Sequence, residues 1–271
     1  MDLYLDVCQA TNALDIDFLV VGAMARDLVL AHGCGSKIER GTRDVDFGIN
    51  VANWDEFDAL KLRLIDQKFE PDEKRAHRLW RKDSTNLPWE IDILPFGGIA
   101  DSENTIHWPP GQEFSMNILG FAEALEHALR VQICDKPKTI IPVASPAGVC
   151  LLKLISWLDR EVELRRKDAS DIYYLIQNYS KIPEIYEALY QESYMEVHDW
   201  DETQASAMKL GKDVTSIGSV ETIEFLKTEL IKQPERVEQF VRDMMGQAPG
   251  GFDYCVEIFN AFAKPFRGQL A

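Results

Sequence analysis

From Asp44 to Ile49 the chain alternates strictly: Val45, Phe47 and Ile49 are apolar, while Asp44, Asp46 and Gly48 are not. A period of two is that of a β-strand, so the spacing predicts one buried face and one face carrying two carboxylates side by side. That pair constrains the chain more than any other feature. WEIDILPF repeats the pattern, with Trp89, Ile91 and Ile93 alternating with Glu90, Asp92 and Leu94. If the two strands are sheet neighbours, three carboxylates converge: Asp44, Asp46 and either Asp92 or Glu90, which share a face. Converging like charges are costly unless a cation neutralises them. All-oxygen ligation suits Mg²⁺ or Mn²⁺, not zinc. Two such ions roughly 3.5–4 Å apart are a recurring device for in-line displacement at phosphorus. The plain alternative for each acid is a solvated position on a strand.

A phosphate-binding element is expected upstream. Asp17 to Gly22 (DFLVVG) is a short apolar run ending in glycine, and AMARDLVLAH follows with helical periodicity. A helix starting at Gly22 and Ala23 offers free backbone N–H groups and the positive end of a helix dipole, and small residues let a phosphate come close. Arg26 and Arg43 either steer phosphates or pair with Asp27 and Glu39. HGCGSKIERGT is a glycine-bearing loop. Asn53 is placed as the N-cap of an amphipathic helix, WDEFDALKLRLIDQ. HRLWRK and WEIDILPF are strands joined by the turn-rich DSTNLP, and RVQICD and KTIIPVA are two more. Ser145-Pro146 then starts a helix. From there PAGVCLLKLISWLDREVEL, KDASDIYYLIQNY, IPEIYEALYQES and VETIEFLKTELIKQ all read as helix, and GQAPGG, Gly246 to Gly251, breaks before a last one. The pattern predicts an α/β (α+β) domain with a mixed sheet over 1–145 and a mainly helical domain over 146–271. Within the helices, Lys153 lies in an apolar stretch, where a lysine can also snorkel to solvent. Asp168 and Asp171 sit where a cap and a first-turn acid are expected, or belong to a site.

Composition narrows the partners. With 46% hydrophobic and 27% charged residues the chain is globular, and no apolar run reaches the ~18 residues of a membrane span. The acidic start, MDLYLDVCQATNALDID, has no basic-then-apolar signal. Five scattered cysteines without a CxxC pair point to reduced thiols and a cytoplasmic location. A net charge of −16 opposes broad nucleic-acid binding. KRAHRLWRK, Lys74 to Lys82, is the local exception. Read as a strand it puts Lys74, Arg78, Trp80 and Lys82 on one face, a basic lip for an RNA acceptor or merely a solvated surface.

The ordered set of strand, Gly-small turn, helix, Asp-x-Asp strand and acidic third strand resembles the DNA polymerase β-like nucleotidyltransferases. Across residues 15 to 215 the chain is most similar to the minimal nucleotidyltransferases of the abortive-infection, type IV toxin kind. GTRDVDFGI, CLLKLISWLDR with KDASDIYYLI, and HDWDETQASAMKLGKDV carry that likeness. The resemblance implies a nucleotidyltransferase fold and transfer of a nucleoside monophosphate from a nucleoside triphosphate to a hydroxyl of RNA, protein or a small molecule. It implies Mg²⁺ or Mn²⁺ on Asp44 and Asp46, with Asp92 as third ligand and base, and triphosphate held by Gly22 and Ala23. Lys153 would contact the triphosphate, supported with the nucleotide by Asp168 or Asp171. A toxin role and a cognate antitoxin are implied as well. Ala23 departs from the glycine or serine of the motif, which loses a hydroxyl contact, and the gap from Gly22 to Asp44 is longer than in minimal members. The rival readings are an inactive binding module of the same fold and a sugar-nucleotide transferase. The second would need a nucleotide-binding domain before Asp44, for which only about forty residues are available.

Overall fold

In a computed structural model of the chain, residues 2–38, 41, 43–83, 85–109, 115–246 and 250–269 are described. Glu39 and its expected pairing with Arg43, parts of the GTRDVDFGI and DSTNLP stretches, and residues 247–249 of the GQAPGG break lie outside them. The chain forms two compact units, one of residues 1–25 and 39–145, the other of residues 26–38 and 146–271.

The first unit is built on a seven-stranded mixed sheet. Its strands are β1 (Asp17–Val21), β2 (Asp44–Val51), β3 (Glu70–Pro71), β4 (Arg78–Lys82), β5 (Pro88–Gly97), β8 (Leu129–Asp135) and β9 (Lys138–Val143), in spatial order β3-β4-β5-β2-β1-β9-β8. A separate hairpin joins β6 (Thr105–His107) to β7 (Ser115–Asn117). β2 lies antiparallel to β1 and parallel to β5. Its alternation does what the spacing predicts: Val45, Phe47 and Ile49 are fully buried, whereas Asp44 and Asp46 retain exposure. α3 (Trp54–Asp66) starts at Asn53, whose side chain accepts from the Glu56 amide at 3.0 Å. α1 (Asp2–Asn12), an element beyond those expected, buries Leu3, Val7 and Ala10 at helical spacing. α4 (Phe121–Glu126) sets its Phe121 ring over Gly48 of β2.

Two segments before Ser145 differ from expectation. AMARDLVLAH is not one α-helix: α2 (Gly22–Arg26) passes into a π-helical turn over Asp27–Gly33. The basic run is a strand only from Arg78. Before it, the Asp72 carboxylate accepts the Lys74 and Arg75 amides at 2.8 and 2.9 Å and folds the chain into a turn. The face shared by Lys74 with Arg78 therefore does not exist.

The second unit is helical: α5 (Pro146–Asp159), α6 (Val162–Asn178), α7 (Pro183–Gln191), α8 (Tyr194–Val197), α9 (Glu202–Ile217), α10 (Val220–Leu226), α11 (Pro234–Met245) and α12 (Gly251–Ala263). α9 and α12 approach so closely that a Cβ on Gly211 would lie 2.1 Å from the Phe262 carbonyl oxygen. Asp201 caps α9 by accepting the Gln204 amide at 2.9 Å and also accepts from the Tyr254 hydroxyl. Asp168 is not a helix cap. α6 begins at Val162, so Asp168 and Asp171 lie inside it, one turn apart and both buried.

Candidate active site

β2 and β5 run side by side in a register that pairs Asp44 with Glu90 and Asp46 with Asp92. Residues opposite one another on neighbouring strands point to the same face, so the register gathers four carboxylates into two rows. β1 completes the arrangement from the other side. Its last residue, Val21, pairs with Asp46, and the chain then turns through Gly22 at φ +68° into α2. A Cβ on Gly22 would lie 2.0 Å from Asp46 Oδ2. Glycine is required there twice over, by the left-handed backbone and by the carboxylate pressed against it.

β4 supplies a feature that the alternation of residues does not reveal. Arg78 stands opposite Asp92 in the antiparallel β4–β5 pair. Its Nε and one terminal nitrogen donate to the two Asp92 oxygens at 2.7 Å each, and the same terminal nitrogen lies 2.5 Å from Glu90 Oε1. The Arg78 side chain is 12% exposed. Burial alone would weaken its charge, but the hydrogen bonds and the negative charge of Asp92, with Glu90 beyond, outweigh burial and raise its pKa. Burial also lifts the Glu90 carboxyl; Arg78 opposes the rise, and Asp92 and Asp44 add to it. Arg78 thus faces the acids and not a nucleic-acid lip. Trp80, two residues along the strand, donates its indole N–H to Asp72 at 3.0 Å. The register itself was available: β4 and β5 pair symmetrically about the DSTNLP turn, and counting outward from Thr85 brings position 78 opposite 92.

Oxygen-only donors on two in-register strands, with a glycine leaving room beside one of them, fit a hard divalent cation. The donors stand somewhat apart: among the described residues no three Asp, Glu, His or Cys side chains are grouped closely enough to hold a metal ion. Two of the four carboxylates are instead turned onto Arg78. Ala23 follows Gly22 in α2, and Arg43 is exposed just ahead of β2.

The second unit holds the other predicted residues in a buried ion-pair cluster. Lys153 Nζ on α5 donates to Asp168 at 2.8 Å and to Asp171 at 2.9 Å. Arg160 reaches Asp168 at 3.0 Å, while Arg26 pairs with Asp171 at 2.5 Å and with Asp27 at 2.8 Å, its guanidinium stacked 4.6 Å from the Tyr174 ring centre. Three cations and three carboxylates balance one another. Burial works against the Lys153 charge, yet Asp168 and Asp171 outweigh it and raise its pKa, so the ammonium is held charged. Arg26 has the partner expected in Asp27 and a further one, Asp171, that lies 145 residues away in sequence.

Residues 7–258 match the profile of the family described as "Nucleotidyl transferase AbiEii toxin, Type IV TA system". That span covers most of the chain. The chain belongs to this family. It is accordingly a nucleotidyltransferase with the fold expected of one, a mixed sheet followed by a helical part. Among solved structures the nucleotidyltransferase is similar to the solution structure of the antibiotic-resistance factor ANT(2'')-Ia, with 11% identity and a TM-score of 0.35 over 73% of this chain and 94% of that one. A likeness that slight carries no argument. No curated protein matches the chain. No helix among the described residues is long and apolar enough to cross a membrane.

Proposed function

We propose that the nucleotidyltransferase moves a nucleoside monophosphate from a nucleoside triphosphate to an acceptor hydroxyl in a reaction that depends on Mg²⁺ or Mn²⁺. The observation that carries the reading is the in-register placement of Asp46 beside Asp92, with Gly22 against the Asp46 carboxylate. Asp44 and Asp46 would hold the cation, with Asp92 as third ligand. When bound, a divalent cation lowers the pKa of the attacking hydroxyl and offsets charge building on the phosphoryl oxygens. Asp92 takes the acceptor's proton. The Gly22 and Ala23 backbone receives phosphate oxygens, which need no side chain at either position. Arg43, exposed ahead of β2, answers phosphate charge. Lys153, kept charged by Asp168 and Asp171, would contact the nucleotide, with Arg26 acting through Asp171. The domain assignment that accompanies this reading gives the chemistry to residues 1–145 and the helices to 146–271.

The acceptor hydroxyl is that of an RNA 3′ end, a protein or a small molecule, and a cognate antitoxin is the expected genetic partner of a toxin-family enzyme in the cytoplasm. The test is incubation with each labelled nucleoside triphosphate, Mg²⁺ or Mn²⁺, and separated pools of cellular RNA, protein and metabolites. Label transferred to one pool with release of pyrophosphate, abolished by chelator, supports the proposal. Nucleotide binding without transfer or pyrophosphate under every combination would overturn it in favour of a binding module that has kept the fold.

A further inference from the structure

Among the described residues the sheet face around Asp46 carries four carboxylates, two of them held by the Arg78 guanidinium. A guanidinium stays charged under all ordinary conditions and presents a rigid fork that matches a carboxylate. Arg78 is therefore a cation that the chain itself supplies to the acids a metal would use. It engages both oxygens of Asp92, the residue paired in register with Asp46, and reaches Glu90, paired with Asp44. It takes one acid from each row and leaves Asp44 and Asp46 to their other contacts. We propose that Arg78 is an internal competitor of the divalent cation: with the metal absent it clamps Asp92 and Glu90, and metal binding draws those carboxylates away from the clamp. The inference rests on the metal reading above.

Three features of the site agree with a clamp that yields. The pair is only part-buried, with Arg78 and Asp92 12% and 14% exposed, so a released guanidinium can be solvated instead of stranded. β4 lies second from the sheet edge, with the two-residue β3 paired on its outer side, so the clamp is held by a peripheral strand and not by a central one. Among the described residues no trio of carboxylates is gathered for a metal while the clamp is closed. The clamp has a use as well. It prevents four like charges from repelling one another in the metal-free protein, and it keeps Asp92, the proposed proton acceptor, occupied until a cation arrives.

The test is Mn²⁺ titration of the intact protein, with free Mn²⁺ followed by electron paramagnetic resonance and no nucleotide present. Arg78→Gln should tighten Mn²⁺ binding about ten-fold or more, the worth of at least one charge-assisted hydrogen bond that no longer competes. Arg78→Lys, which keeps the charge but loses the fork, should fall between wild type and Arg78→Gln. In an Asp92→Asn, Glu90→Gln background the Arg78→Gln gain should shrink to within about two-fold, because no clamped carboxylate is left to release. The metal-free Arg78→Gln protein should melt lower than wild type, and saturating Mn²⁺ should raise its melting temperature by more than it raises that of wild type. Unchanged or weaker Mn²⁺ binding in Arg78→Gln would overturn the clamp, as would an undiminished gain in the Asp92/Glu90 background, which would mark a general charge effect. Asp44→Asn with Asp46→Asn separates the two readings: if that double variant binds Mn²⁺ as wild type does, the metal reading fails whatever Arg78 does.

Discussion

Gly22→Ala tests the geometry of the carboxylate face at one atom. Alanine at φ +68° takes up a left-handed conformation that costs about 1–2 kcal/mol. Its Cβ would also stand 2.0 Å from Asp46 Oδ2 and 3.1 Å from Asp46 Cγ, so the carboxylate must leave its place. The obstacle is a side chain and not backbone, so Asp46 can rotate at a further cost of about 0.5–1.5 kcal/mol. Together these give a destabilisation of about 1.5–3.5 kcal/mol, or a fall in melting temperature of roughly 3–14 °C for a chain of this size. Gly35→Ala is the matched control: its φ of +71° imposes the same backbone cost, and no atom lies within 4 Å of the added Cβ. Urea unfolding of the two variants, with m unchanged, should show Gly22→Ala the less stable by about 0.5–1.5 kcal/mol. Nucleotidyl transfer should fall at least ten-fold in Gly22→Ala and stay near wild type in Gly35→Ala. Equal destabilisation of the two, with transfer intact in Gly22→Ala, would refute the idea that Gly22 exists to seat the Asp46 carboxylate.

Asp44→Asn with Asp46→Asn should abolish measurable transfer while the protein keeps its wild-type circular dichroism; a folded double variant with normal turnover would remove the proposed reaction centre. Asp168→Asn, in a carboxylate with no exposure, leaves Lys153 and Arg160 short of a partner and should cost about 3–5 kcal/mol in denaturant unfolding; a loss under about 1 kcal/mol would show that the two cations find water or another acid instead. Burial, aided by Lys264, lowers the His198 pKa below its ordinary value of 6.5. The unfolded chain then takes up the proton first, so the contribution of His198 is complete above about pH 6.5 and is lost as pH falls through the native value. The unfolding free energy should decline over that window with a slope that His198→Gln reduces; an unchanged slope would show that the imidazole titrates alike in both states.

What could be read from the sequence was what depends on near neighbours along the chain. The Asp44–Ile49 strand declared itself because strict alternation fits hardly any conformation but a half-buried strand, and Asn53 because a cap acts on an amide three residues away. α1 carried the same kind of signal, Leu3, Val7 and Ala10, but its acidic residues make charge more conspicuous than spacing. Asp168 was misplaced because the local string KDASD imitates a helix start, while the true start at Val162 follows a break with no glycine or proline to mark it. The Arg26–Asp171 pair lay beyond reach, since nothing near either residue specifies a partner 145 positions away. Arg78 falls between these cases. Its strand is legible, but its target depends on hairpin register, and a slip of one residue would have turned it to the other face.

The path of the chain between its two compact units sets a limit on dissection. It crosses from one to the other after Ala25, returns after Ile38 and crosses again after Ser145. A fragment ending at Ser145 would keep residues 26–38 but lose what holds them: Asp171 and Tyr174 around Arg26, and the Tyr174 hydroxyl that donates to the Lys37 carbonyl at 2.9 Å. Arg26 and Asp27 would go into water from a setting in which both are almost wholly buried, and Leu30 would follow them. The complementary fragment, starting at Pro146, would keep Lys153, Arg160, Asp168 and Asp171 but lose Arg26 and Asp27, taking from Asp171 one of its two cationic partners. Neither half holds the segment 26–38 together with its partners. Any exchange of parts between relatives of this enzyme would have to carry the segment 26–38 together with the helices that enclose it.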